Sequence, residues 1–144
     1  MSDLNGQTKI LIMDEDPAMT DLLKMALEPM NFKVHTAYPD SKSIEVIFNT
    51  YYDVVIVELL KSEEAGLQVC RDIRSGSQVP IVVLSVVNKP GMVEQVLDAG
   101  ADEYLLKPVP TSVLTARLNT LARRARAEWA AANQYKQGSA IGMS

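Results

Sequence analysis

One cysteine and one histidine are all that this 144-residue chain contains of the two residue types that most often bind zinc. With Cys70 alone, neither an internal disulfide nor a cysteine-based zinc site can form. With His35 alone, histidine-pair metal sites are absent and a Ser-His-Asp triad is hard to build. No phosphate-cradling P-loop and no GxGxxG turn occurs, and no apolar run approaches the ~20 residues that a membrane helix needs. Residues 1–8 (MSDLNGQT) are too polar for the core of a signal peptide, so a cytoplasmic setting without a membrane partner is expected. Positive charge is not in excess either: 18 acids against 14 bases give a net charge of −4, so non-specific polyanion binding is not the first expectation. What is present is ordinary for a folded domain. At 47% apolar and 22% charged residues, the chain has enough apolar surface to offset the entropy of ordering. Its length suits one domain.

Apolar strands and amphipathic helices alternate along the chain. Residues 8–13 (TKILIM) form a short, β-branched apolar run, followed by Asp16 as a helix cap and Pro17 at the first helical position. Met19, Leu22, Leu23, Ala26 and Leu27 then recur at helical spacing, and Pro29 and Asn31 close that helix. A second strand is expected over 32–37, and a helix starting near Asp40 carries Ile44, Ile47, Phe48 and Tyr51. Residues 53–60 (DVVIVELL) read as a strand buried on both faces, followed by a helix bearing Gly66, Val69, Cys70 and Ile73. A fourth strand over 79–84, a helix with Met92, Val93, Val96 and Leu97 capped by Gly100, and a short strand over 103–106 follow. The last helix carries Leu114, Leu118, Leu121, Ala125 and Trp129 and is expected to end near Asn133. Five βα units with two-sided apolar strands predict an α/β fold, a doubly wound parallel sheet with helices on both faces. The expected division is an N-terminal lead over 1–7, a domain over 8–133 with an extended last helix, and a flexible tail over 134–144.

In such sheets the ligand site lies beyond the C-terminal ends of the strands. Those ends bring together Asp14 and Glu15, Glu58, Ser85 and Lys107. Three carboxylates facing one ammonium leave excess negative charge, which a hard divalent cation would relieve. Mg²⁺ is the natural candidate, with Asp14, Glu15 and Glu58 as its ligands. No organic cofactor is expected.

The segments ILIMDEDP, DVVIVELL, GLQVCRDIR, PIVVLS and AGADEYLLKP, in this order and spacing, resemble the receiver domain of two-component response regulators (CheY-like) over residues 9–124. The resemblance implies the flavodoxin-like (βα)5 fold with strand order 2-1-3-4-5. It also implies that Asp14 and Glu15 are the Mg²⁺-holding acids and Ser85 the hydroxyl that senses a phosphoryl group. Tyr104 would be the aromatic switch residue, Lys107 the lysine that contacts phosphoryl oxygen, and Pro108 the proline after a cis peptide.

Three positions depart from that pattern. Glu58 occupies the place of the phosphoaccepting aspartate, and Asp53 and Gly66 anchor the alignment on either side. One extra methylene moves the carboxylate by about 1.5 Å, and misplacing a reacting group by ~1 Å can cost ~10²-fold in rate. Val86 follows the sensing hydroxyl where receivers usually have a small residue, and is expected to restrict access. The loop Leu59-Leu60-Lys61-Ser62 lacks the usual proline. These departures predict a pseudo-receiver, a non-enzymatic module that signals by protein contacts, with Mg²⁺ binding weak or lacking. Glu58 would either reach Lys107 and Ser85 and hold an active-like state, or form a structural ion pair with Lys107.

Two other readings compete with this one. The first is a working receiver that accepts a phosphoryl group from a histidine kinase. The second is a metal-dependent or small-ligand enzyme on the same fold. Arg117, Arg123, Arg124 and Arg126 make the last helix basic, which reads as a solvated face more readily than a nucleic-acid surface. Ala125, Trp129 and Ala132 extend its apolar stripe beyond the domain, which favours a protein partner, an effector domain or a homodimer through the last two helices. His35 reads as a surface residue and Cys70 as core.

Overall fold

The computed structural model describes residues 6–59 and 63–142, with side chains given except for residues 59 and 135–142. The strands are β1 (Thr8–Met13), β2 (Phe32–Ala37), β3 (Val54–Leu59), β4 (Ile81–Ser85) and β5 (Glu103–Leu106). The helices are α1 (Pro17–Leu27), α2 (Ser41–Asn49), α3 (Glu63–Arg74), α4 (Met92–Asp98) and α5 (Thr111–Gly142). All neighbouring strands pair in parallel in the order β2-β1-β3-β4-β5. This is the flavodoxin-like arrangement expected from the sequence.

Strand alternation divides the core between two faces. Leu11, Met13, Val55, Val57, Ile81 and Val83 pack with α2, α3 and α4 through Ile47, Cys70, Ile73 and Val96. Ile10, Ile12, Val54, Ile56, Val82 and Leu84 pack on the other side with Leu27, Leu114, Leu118 and Leu121. Full burial of each such side chain contributes about 1.5–3 kcal/mol before the entropy of ordering is counted.

Local signals set the helix starts. Asp16 Oδ1 accepts from Ala18 N at 3.0 Å with Pro17 beside it, and Asp40 Oδ1 accepts from Ser43 N at 2.9 Å. The cap bond holds the Asp40 carboxyl below its ordinary value. Asn31 takes a left-handed φ of 68° after a short turn over Glu28–Met30, closing α1. After α4, Gly100 has φ 113°, and a Cβ there would come within 2.9 Å of Arg74 Cβ. Arg74 donates to the Gly100 carbonyl at 2.8 Å and to Asp102 Oδ2 at 3.0 Å, joining α3 to the turn before β5.

Some sequence expectations shift. β4 starts at Ile81 and not at residue 79, because Pro80 has no N–H for the ladder, although its carbonyl accepts from Val55 N at 2.9 Å. In α1 the buried positions are Thr20 and Leu27, and Leu22, placed on the apolar stripe from its spacing, is 62% exposed. The final helix does not stop near residue 133 but continues to Gly142. No proline interrupts residues 134–142 (QYKQGSAIG), so the backbone ladder can continue through them. Residues 1–5 of the expected lead, and residues 60–62 of the loop said to lack a proline, lie outside the described residues.

Candidate functional site

The sheet delivers Asp14, Glu58, Ser85 and Lys107 to one edge. Asp14 follows β1, Glu58 is the penultimate residue of β3, Ser85 ends β4, and Lys107 follows β5. Lys107 N donates to the Ser85 carbonyl at 2.8 Å, which extends the β4–β5 pairing and sets where the lysine side chain starts. The Lys107–Pro108 peptide is cis.

Glu58 Oε2 accepts from Lys107 Nζ, and the Glu58 side chain is wholly removed from solvent. Its other oxygen, Oε1, is buried with no hydrogen-bond partner. Burial therefore raises the Glu58 pKa, Lys107 opposes this by hydrogen bond and charge, and the charges of Asp14 and Asp16 push it further up. Asp14 is similar. Its Oδ1 accepts from Asp16 N at 3.1 Å, whereas Oδ2 is buried and unpartnered. Its pKa is raised by desolvation, against the pull of the Asp16 N–H and Lys107.

Ser85 and Tyr104, which the receiver resemblance marks as switch residues, converge on the β4–α4 loop. Ser85 Oγ accepts from Val87 N at 2.9 Å, and Tyr104 OH donates to the Val87 carbonyl. Tyr104 packs against the core face that includes Met92 and Val96. Ser85 is engaged by the loop and has no hydrogen bond to Glu58 among the described residues, so the geometry combines Glu58 with Lys107 alone. Val86, expected to restrict access, is 61% exposed beside Ser85. Lys89 Nζ lies 2.5 Å from Glu63 Oε2, linking the same loop to the start of α3.

The unpartnered oxygens Asp14 Oδ2 and Glu58 Oε1 are hard donors, which suits a largely hydrated Mg²⁺ held by one or two carboxylates. Among the described residues, no three His, Cys, Asp or Glu side chains stand close enough together to form a fuller cage. A bound cation would supply charge to neutralise the two acids and any phosphoryl oxygens.

The family model for the response regulator receiver domain matches residues 10–119. The chain belongs to the response regulator receiver domain family. This receiver is 31% identical over 123 residues to the transcriptional regulatory protein ResD of Bacillus subtilis, covering 85% of this chain and 51% of ResD. It is also 31% identical to the response regulator ArlR of Staphylococcus aureus over 117 residues, covering 81% of this chain and 53% of that protein. The chain thus spans about half the length of these curated relatives. Among solved structures, it is similar to a two-component response regulator from Clostridium difficile, at 34% identity and TM-score 0.73, covering 83% of this chain and 98% of that one. A BeF3-activated N-terminal receiver domain of Klebsiella pneumoniae RstA matches at 31% identity and TM-score 0.72, covering 81% and 99% of the two chains.

Other sequence expectations find their places. Cys70 is fully buried, which pushes its thiol up to about 11. His35 is exposed on β2, away from the acids, with Nδ1 3.0 Å from Tyr52 OH. Arg126 does not belong to a solvated basic face. Its Nε donates to Asp53 Oδ1 at 3.0 Å and its Nη2 to Thr8 Oγ1 at 2.9 Å. Buried Asp53 also accepts from Lys9 N at 2.7 Å and Tyr51 OH at 2.9 Å. This network at the N-terminal end of the sheet went unread in the sequence, since 73 positions separate Asp53 from Arg126. The one available signal was an acid placed directly before the most apolar strand. Among the described residues, no helix is long and apolar enough to cross a membrane.

Proposed function

We propose that this receiver is a signalling module that acts through protein contacts and does not undergo conventional phosphorylation. The carrying observation is the Glu58–Lys107 pair, with Glu58 in the acceptor position and its side chain shut off from solvent. A carboxylate must be exposed for its oxygen to attack the phosphorus of a donor in line, displacing the donor's leaving group. Here the longer side chain has brought its charge to the lysine that would otherwise meet phosphoryl oxygen. Because Ser85 is bonded to Val87, the arrangement supports a structural ion pair more than a full mimic of the phosphorylated state. Asp14, Glu15 and Glu58 would hold Mg²⁺ only weakly, in competition with Lys107. Partners are proteins or an effector domain. Val93, Leu97, Leu106 and Val113 are exposed on α4, β5 and α5, where a homodimer or effector contact would form.

A working phosphotransfer receiver, served by a histidine kinase, is the second reading. It is favoured by the unpartnered oxygens of Asp14 and Glu58, which leave acceptor capacity for a cation. Incubation with acetyl phosphate and Mg²⁺, followed by intact-mass measurement, separates the two. The wild-type chain should remain unmodified while Glu58→Asp gains a phosphoryl group. A stoichiometric adduct on wild-type Glu58 would overturn the first reading.

A further inference from the structure

At the opposite end of the sheet from Glu58, a cleft of about 640 Å³ opens between the end of α2, the segments leading into β3 and β4, and the continuation of α5. Its volume falls within the range of small-molecule sites. Phe48, Tyr51 and Trp129 supply aromatic walls, and Val79 and Pro80 lie between them. Phe48 and Trp129 remain 42% and 45% exposed, so the rings present apolar faces to the opening. Ala125 and Ala132 flank Trp129 on the same side of α5 and are too small to fill the space.

The walls are held in place. A Cβ on Gly76 would come within 2.9 Å of the Phe48 ring, so that ring lies directly on the backbone before β4. Tyr51 is fixed through its hydroxyl to Asp53, and Arg126 anchors the helix one turn before Trp129 to the same carboxylate. Among the described residues lining the cleft, Glu128 is the only one charged at neutral pH. It has no ion-pair or hydrogen-bond partner among them. The nearest arginine along the helix towards the sheet, Arg126, is committed to Asp53.

We propose that this cleft binds a small amphipathic cation, an aromatic or alicyclic ring carrying a protonated amine. The ring would stack among Phe48, Tyr51 and Trp129. The ammonium would gain Glu128 and the aromatic faces together, the combination that favours cations over neutral or anionic analogues. The proposal does not depend on whether Glu58 accepts phosphate, because the two sites lie at opposite ends of the strands.

The chain's single tryptophan is itself in the wall and reports binding. The probe is 2-phenylethylamine, with 3-phenylpropionate as its counterpart of opposite charge, titrated into the full chain while Trp129 emission is read. The amine should produce a saturable change, and the carboxylate should bind about fivefold or more weakly. Glu128→Gln, an exposed helix substitution, should weaken the amine by about the same factor with the circular dichroism unchanged. Amide shifts at Ser77 and Gln78 give a second readout. The proposal is overturned by no saturable change up to about 10 mM, a concentration at which even very weak sites fill. Equal binding of the two probes, or no effect of Glu128→Gln, would also overturn it. So would Trp129 emission that follows self-association in sedimentation experiments, since a second copy would then fill the cleft.

Discussion

Ser85 and Tyr104 meet at a single residue: the serine hydroxyl accepts the N–H of Val87 and the tyrosine hydroxyl donates to its carbonyl. The two residues that the receiver resemblance marks as the switch are therefore coupled through the loop between β4 and α4, not through the acid cluster. Ser85→Ala and Tyr104→Phe should each cost about 0.5–1.5 kcal/mol. They should be non-additive in a double-mutant cycle because they share Val87. Denaturant titrations of the four proteins would check this, and additive losses would mean that the two bonds act separately.

Removing Lys107 should harm the fold more than removing the whole pair. Lys107→Ala leaves the Glu58 carboxylate buried without its cation, at a cost of about 3–5 kcal/mol. Glu58→Leu combined with Lys107→Met should be close to neutral, since desolvation offsets much of the attraction within a buried pair. Urea midpoints for the single and double variants are the measurement. A double variant as unstable as Lys107→Ala would show that the pair itself stabilises the receiver.

Acid should favour the wild type over Asp14→Asn. Burial lifts the Asp14 pKa above 3.8, so between the ordinary and raised values the folded chain holds a proton that the unfolded chain has lost. Stability from this group therefore grows as pH falls through the raised value, and is fully present below the unfolded value. Relative to Asp14→Asn, which has no such proton to bind, the wild type should gain stability as pH falls from neutrality towards 3.8. Urea titrations across that range would reveal the trend, and a wild type that loses ground would contradict the unpartnered burial of Oδ2.

At the other end of the sheet, Asp53→Ala should destabilise more than Arg126→Ala. Deleting the acid strands Lys9 N, Tyr51 OH and the guanidinium together, a loss of about 3 kcal/mol or more from charged hydrogen bonds. Deleting the half-exposed arginine removes one anchor and should cost about 1–2 kcal/mol. It should also lower amide protection in α5 beyond residue 126. Hydrogen exchange and thermal unfolding would rank the two variants.

Tyr51 supplies an alkaline signature of the same network. Burial, together with its bond to Asp53, pushes its hydroxyl up to about 12 from 10.0. Across that interval the folded chain keeps a proton that the unfolded chain releases, so stability should fall as pH rises. Tyr51→Phe should remove this part of the alkaline loss, as read by denaturant midpoints above pH 10.

Alternating apolar strands, helix caps at Asp16 and Asp40 and breakers at Pro29, Asn31 and Gly100 all act over a few residues. The order of elements and the two-faced core were legible in the chain for that reason. The same topology places Asp14, Glu58, Ser85 and Lys107 at one sheet edge, because a parallel strand must deliver its C-terminal residue there. The meeting of Glu58 with Lys107 follows from that delivery, but the other partners were not legible: Arg126 meets Asp53 across 73 positions, and Ser85 turns to Val87 and not to Glu58. Side-chain rotamers and buried charges are settled only when distant segments exclude water around them, and desolvation then decides which oxygen keeps a partner and which goes without.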